Sequence, residues 1–242
     1  MRRVLLGALL ATLAAAPALA QSVAIDLGAT GGAGATARLV QLTALITVLS
    51  LAPSLLVMVT AFARIIIVLS LLRSALGTQG TPPNSVLIGL ALFLTFFVMQ
   101  PVLDASWAQG LLPMSEGRVG ELEGLRLAAE PFRGFMAANV REDDLRLFLD
   151  LAKLPDPASP DQTPWRALVP AFMVGELRRA FEMGFLLYLP FVLIDLLVAS
   201  VLTSMGMMMM PPTMISTPLK LLLFVLVDGW ALLVRSLALS FG

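Results

Sequence analysis

FEMGFLLYLPFVLIDLLVASVLTSMG, from Phe181 to Gly206, carries only two charges, Glu182 and Asp195, and is longer than the roughly 20 residues a helix needs to cross a bilayer. SVLIGLALFLTFFVMQ, from Ser85 to Gln100, carries none. Both runs read as helices that water does not solvate, so the chain is an all-α integral membrane protein built of apolar hairpins. The whole composition agrees: 58% of the 242 residues are hydrophobic and 13% charged, against about 25% charged in an average soluble chain. Histidine and cysteine are absent. That excludes disulfides, Cys or His nucleophiles, imidazole bases, haem ligation and ordinary zinc sites, and no cofactor is implied.

The charges fall into two populations. Between Asp104 and Ala167 lie 7 basic and 11 acidic residues, 18 of the 32 in the chain. This segment reads as solvated, with Phe132, Phe135 and Met136, then Leu145, Phe148, Leu149 and Ala152, at helical spacing. Glu142-Asp143-Asp144 suits the positive start of its second helix, and Leu154 to Pro160 reads as a loop. Pro164 suits the first turn of the helix that follows. The segment is too small for an independent catalytic domain and fits a docking module.

The start has the form of a secretory signal: Arg2 and Arg3, an apolar run from Val4 to Leu13, and Ala18-Leu19-Ala20 before Gln21, with cleavage expected between Ala20 and Gln21. Loss of Arg2 and Arg3 leaves no net basic field for nucleic acid. Leu39 to Leu72 is too long for one straight span, and Pro53 is expected to divide it into helices over Leu39–Leu51 and Ser54–Leu72. Gly77 to Asn84 reads as a polar turn, placed in the cytoplasm by Arg73, and the helix after it is expected to end at Pro101.

A few charges lie inside apolar helices, where each needs a partner or water. Arg64 reads as half of a buried ion pair or as a pathway-lining residue. Glu176 with Arg179 and Arg178 with Glu182 have helix-pair spacing. Asp195 has no partner on its own helix, and Lys220 and Arg64 are both candidates; Asp228 poses the same problem. A carboxylate hydrolase built from Glu176, Asp195 and Asp228 is conceivable, but nothing around them marks a substrate pocket or metal cluster. Met205, Met207, Met208, Met209, Met210 and Met214 gather beside Pro211 and Pro212. Such a cluster is either soft core or a deformable plug around a pore.

Three stretches carry a resemblance: LSLAPSLLVMVTAFARIIIVLSLLRSALGTQGTPPNSVLIGLALFLTFFVMQPV from Leu49, the run from Phe181 to Pro212, and LKLLLFVLVDGWALLV from Leu219. They resemble the FliP family of type III secretion export-gate subunits, in order from Leu49 to Phe241. The resemblance implies a non-enzymatic, pore-forming subunit of the flagellar protein export gate. In such a gate, a homo-oligomer of pentamer type joins FliQ-like and FliR-like chains in the bacterial inner membrane, within the flagellar basal body, and passes unfolded flagellar proteins.

The resemblance also implies roles for particular residues. Met207, Met208, Met209 and Met210 match a pore gasket, with Met210 a departure from the usual pattern. Phe135 and Phe148 match subunit-packing positions. Arg64, Glu176, Arg178, Asp195, Lys220 and Asp228 are expected as buried or subunit-pairing charges, with Arg178 standing where lysine is common. Arg235 stands where the family has a small residue. The expected organisation is residues 1–20 signal, 21–38 flexible exported leader, 39–103 first apolar hairpin, 104–167 charged periplasmic helical segment, and 168–242 second apolar hairpin with the Met-rich loop. In assembled gates of this family, helices that read as membrane-spanning are largely packed against neighbouring subunits. A small-molecule or ion channel or transporter is the competing class, and internal repeats with a polar midplane site, its usual marks, are not evident. The homologous subunit of a virulence secretion system is the other alternative; the signal and the GTQGTPPN turn favour the flagellar one.

Overall fold

The structure, a computed structural model, describes residues 54–78, 80–157, 159, 162–207 and 209–241, with 40, 42, 43, 46, 47, 50 and 51 before them. The expected signal cleavage at Ala20 and Gln21, the leader, Pro53 and Met208 lie outside the described residues. Met1–Leu51 and Ala52–Gly242 form separate compact units. In the first, the described residues from 40 to 51 are helical, with Thr47 Oγ1 donating to the Thr43 carbonyl at 2.8 Å.

The second unit is helical throughout and has no strand among the described residues. Its helices are α1 (Phe62–Leu76), α2 (Asn84–Ser106), α3 (Leu112–Ser115), α4 (Glu121–Asn139), α5 (Glu142–Leu151), α6 (Trp165–Ser204), α7 (Thr213–Leu226) and α8 (Gly229–Leu239). Helix α1 lies at the centre. Ile65, Val68, Leu69, Leu72 and Ala75 are buried along it, and it packs most extensively against α6. The two backbones come close at Gly184 of α6, where a Cβ would stand 2.1 Å from Leu71 Cδ1.

Two sequence expectations are corrected. The helix over Ser54–Leu72 is not continuous, because the chain bends at Thr60 and Ala61. The Thr60 hydroxyl donates to the Leu56 carbonyl at 2.5 Å and accepts the Phe62 N–H at 3.3 Å, ending one helix and starting the next. Pro101 does not end α2, which runs through it to Ser106 and continues, by a π-helical turn over Trp107–Leu111, into α3. Proline deletes one hydrogen bond of a long apolar helix, and such helices absorb the loss. For the same reason Pro170 and Pro190 lie inside an unbroken α6.

At about 1.5 Å per residue the 40-residue α6 is about 60 Å long, twice the roughly 30 Å hydrocarbon core. Its amino-terminal part packs on α5 and α4, the two helices expected from the charged segment. Among the described residues two helices are long and apolar enough to cross a membrane, Asn84–Ser115 and Trp165–Ser204, and α7 with α8 forms a third such stretch bent by 65°. The bend falls at Asp228, which has φ 51°.

Candidate functional site

Four features stand out between the helices: three charge clusters and the methionine turn. The deepest is Arg64, fully buried with Glu176. Arg64 Nε donates to Glu176 Oε2 at 2.8 Å and Nη2 donates to Oε1, a two-pronged pairing suited to a planar guanidinium. Its Nη1 donates to the carbonyl and the hydroxyl oxygen of Ser240, each at 2.8 Å. The Phe241 ring covers the guanidinium at 3.7 Å, stacks on Phe135 at 6.1 Å between centroids, and Phe135 meets Phe172 edge-on at 5.8 Å. Arg179 approaches Glu176 at 3.9 Å. One arginine thus joins α1, α6 and the residues after α8. Of the two readings of Arg64, the buried ion pair is what the chain forms.

The second cluster resolves the partner of Asp195. Lys220 Nζ donates to Asp195 Oδ2 at 2.6 Å and to the Ala75 carbonyl at 3.0 Å, tying α7 to α6 and to the end of α1. Arg64 is committed elsewhere. The Asp195 side chain is 38% exposed, so this pair reaches the outside of the single chain. Ser216, one turn before Lys220, is fully buried.

The third cluster was not legible as a site. Asp144, taken from the sequence only as a helix-start acid, is buried, with Oδ1 3.4 Å from Arg178 Nη2 and Oδ2 3.8 Å from Arg141 Nε. It docks α5 onto α6. The expected Arg178 to Glu182 pair does not form, because Arg178 reaches to Asp144 instead. Arg178 is also exposed rather than buried, and so is Asp228, which precedes α8 with no ion pair among the described residues. A left-handed backbone at the bend turns the Asp228 side chain to the surface. Phe148 is half-buried on α5. Ser240 and Phe241 were missed as well. No pattern marks them, since they act through the backbone carbonyl and ring that the end of α8 happens to present.

The methionine turn is built from the helix end outward. Gly206, at φ 74°, donates to the Thr203 carbonyl at 3.1 Å, and Met207 N–H donates to the Leu202 carbonyl at 3.0 Å. That double closure of a helix end needs a left-handed residue, which glycine supplies without steric cost. Pro211 and Pro212 then set the start of α7. Met207 is exposed, Met210 half-buried, and Met209 is 100% exposed, touching nothing in its own chain. Among the described residues no group of acids could hold a metal ion.

Residues 45–237 match the FliP family. The chain belongs to the FliP family. The flagellar biosynthetic protein FliP of Caulobacter vibrioides is 53% identical over 98% of this chain and 88% of its own. That of Agrobacterium fabrum is 47% identical over 96% of this chain and 97% of its own, and that of Bacillus subtilis 51% over 84% and 91%. The FliP match takes in Arg64, Glu176, the Lys220 cluster, Asp144 and the methionine turn, while Ser240 and Phe241 lie just past it. With its apolar helices, this FliP-family chain has a membrane location.

Proposed function

We propose that this chain is a pore-forming subunit of the flagellar type III protein export gate, through which unfolded flagellar proteins pass. The observation that carries the reading is the methionine turn of a FliP-family chain: soft apolar side chains, with Met209 wholly outside its own fold, at a glycine- and proline-enforced break between two apolar helices. Methionine re-packs around irregular shapes, so a ring of such turns would seal against ions and yield to a polypeptide.

The finer reading is a pentamer-type homo-oligomer with FliQ-like and FliR-like chains in the bacterial inner membrane and flagellar basal body, with residues 104–167 on the periplasmic side. Two features support it. Helix α6 is too long to lie wholly within a bilayer, and its outward face (Phe181, Phe185, Leu189, Leu193 and Leu196) is exposed in the single chain, as subunit burial would require.

Replacing Met207 to Met210 with glycine is expected to leave the complex assembled while the membrane leaks ions or small solutes. A membrane that stays equally tight sinks the gasket role. Extraction in detergent from cells expressing all three chain types is expected to recover them together; recovery of this chain only as a monomer counts against the assembly. Uptake of a defined small solute by this chain alone in liposomes would instead favour a transporter.

A further inference from the structure

Among the described residues, the clusters above do not use Glu182 or Arg235, which lie on apolar helix faces. Glu182 stands on the outward face of α6 between Phe181 and Phe185, and Arg235 on the outward face of α8 between Leu232 and Leu239. Both side chains are exposed, and neither makes an ion pair among the described residues. The apolar neighbours of each are exposed too: Phe185 and Leu186 beside the acid, Leu232 and Leu239 beside the base. A lone charge in such a setting demands a counter-charge, water or an escape to the lipid interface.

Both lie a similar number of residues from the Arg64 cluster. Arg64 ties Ser240 and Glu176 to one level, and from there both helices lead the same way, toward the groove that Leu187, Phe191, Gly229 and Leu233 share. Glu182 lies six residues past Glu176 and Arg235 five before Ser240, about 9 Å and about 7.5 Å along their own helix axes. The other acids on or beside the apolar helices stand elsewhere. Asp228 shares its face of α8, two turns away. Asp104 lies at the far end of α2, about 30 Å by rise from the α1–α2 turn. Asp195 holds Lys220.

We propose that Arg235 of one copy pairs with Glu182 of the next, the α8 face of each chain covering the α6 face of its neighbour. A head-to-tail contact in a closed ring joins two surfaces of the same chain, and an exposed acid on one helix with an exposed base on another supplies complementary charge for it. Apolar side chains around both supply the dry contact in which the pair is little screened. The pairing rests on the homo-oligomer proposed above, and its test separates the two.

The chain has no cysteine, so Glu182→Cys and Arg235→Cys can be carried on separate copies expressed with the other gate components. A short bis-maleimide applied to membranes is expected to give a crosslinked dimer only when both variants are present. Arg235→Glu and Glu182→Arg, singly, are each expected to lower recovery of the detergent-stable oligomer and substrate secretion by at least about fivefold, and the double reversal to restore both to within about twofold. If the unsubstituted oligomer is recovered but mixed crosslinking is absent and the reversals do not rescue each other, the pair is wrong and the oligomer stands. An Arg235 that serves a lipid interface gives the same uncoupled result and overturns the pairing. If the unsubstituted chain is a monomer among all its partners, the oligomer itself falls.

Discussion

Arg64 and Glu176 both lose their water on folding, a cost that mutual attraction offsets only when the remaining donors and acceptors are also satisfied. Here they are: the guanidinium donates to the carboxylate and to Ser240, and the Phe241 ring covers its face. Removing one partner should therefore hurt far more than removing both. Glu176→Leu, which strands a buried cation, is expected to cost about 3–5 kcal/mol, and Arg64→Met with Glu176→Leu distinctly less. Thermal unfolding in detergent checks this, and a double variant as unstable as the single one would show that the pair is not the unit. Each charge was conspicuous in the sequence because it interrupts an apolar run. Their pairing was not, since residues 112 positions apart meet only when two helices are packed at a particular rotation.

Among the elements, α6 and the turn after it show where local sequence rules hold and where packing overrides them. The glycine before the methionines ends a helix, because its left-handed backbone is a local property. Gly206→Val is expected to destabilise that closure by about 1–2 kcal/mol. Hydrogen exchange at the Met207 amide should speed up accordingly; unchanged protection would mean that the closure does not hold the turn. Pro101, by contrast, does not end α2, and Pro190 lies inside an unbroken α6, because the rest of a long apolar helix absorbs one missing hydrogen bond. Gly184 is a packing glycine: Gly184→Ala is expected to cost about 1–3 kcal/mol by driving Leu71 off its rotamer, with Leu71→Ala relieving part of it. If the second substitution only adds to the loss, the close approach is not what the glycine serves.

For the whole molecule, the proposed topology sets Glu142, on α5, against Thr78, in the α1–α2 turn. In intact cells, Glu142→Cys is expected to react with a membrane-impermeant maleimide from the periplasm while Thr78→Cys stays protected. Equal labelling of both, or the reverse pattern, would overturn the orientation. The sequence alone determined the helical class, the two populations of charge, the family and the methionine turn, because composition, periodicity and glycine–proline punctuation are properties of short stretches. Only the tertiary structure decided that Arg64 takes Glu176 while Lys220 takes Asp195, that Asp144 docks the charged segment, and that Glu182 and Arg235 remain unpaired. Those choices depend on the rotation and height of one helix against another, which no local pattern encodes. The low charge content that marked the chain as a membrane protein thus resolves into pairs completed within one chain and exposed charges, Glu182 and Arg235 among them, that the single chain does not pair among the described residues.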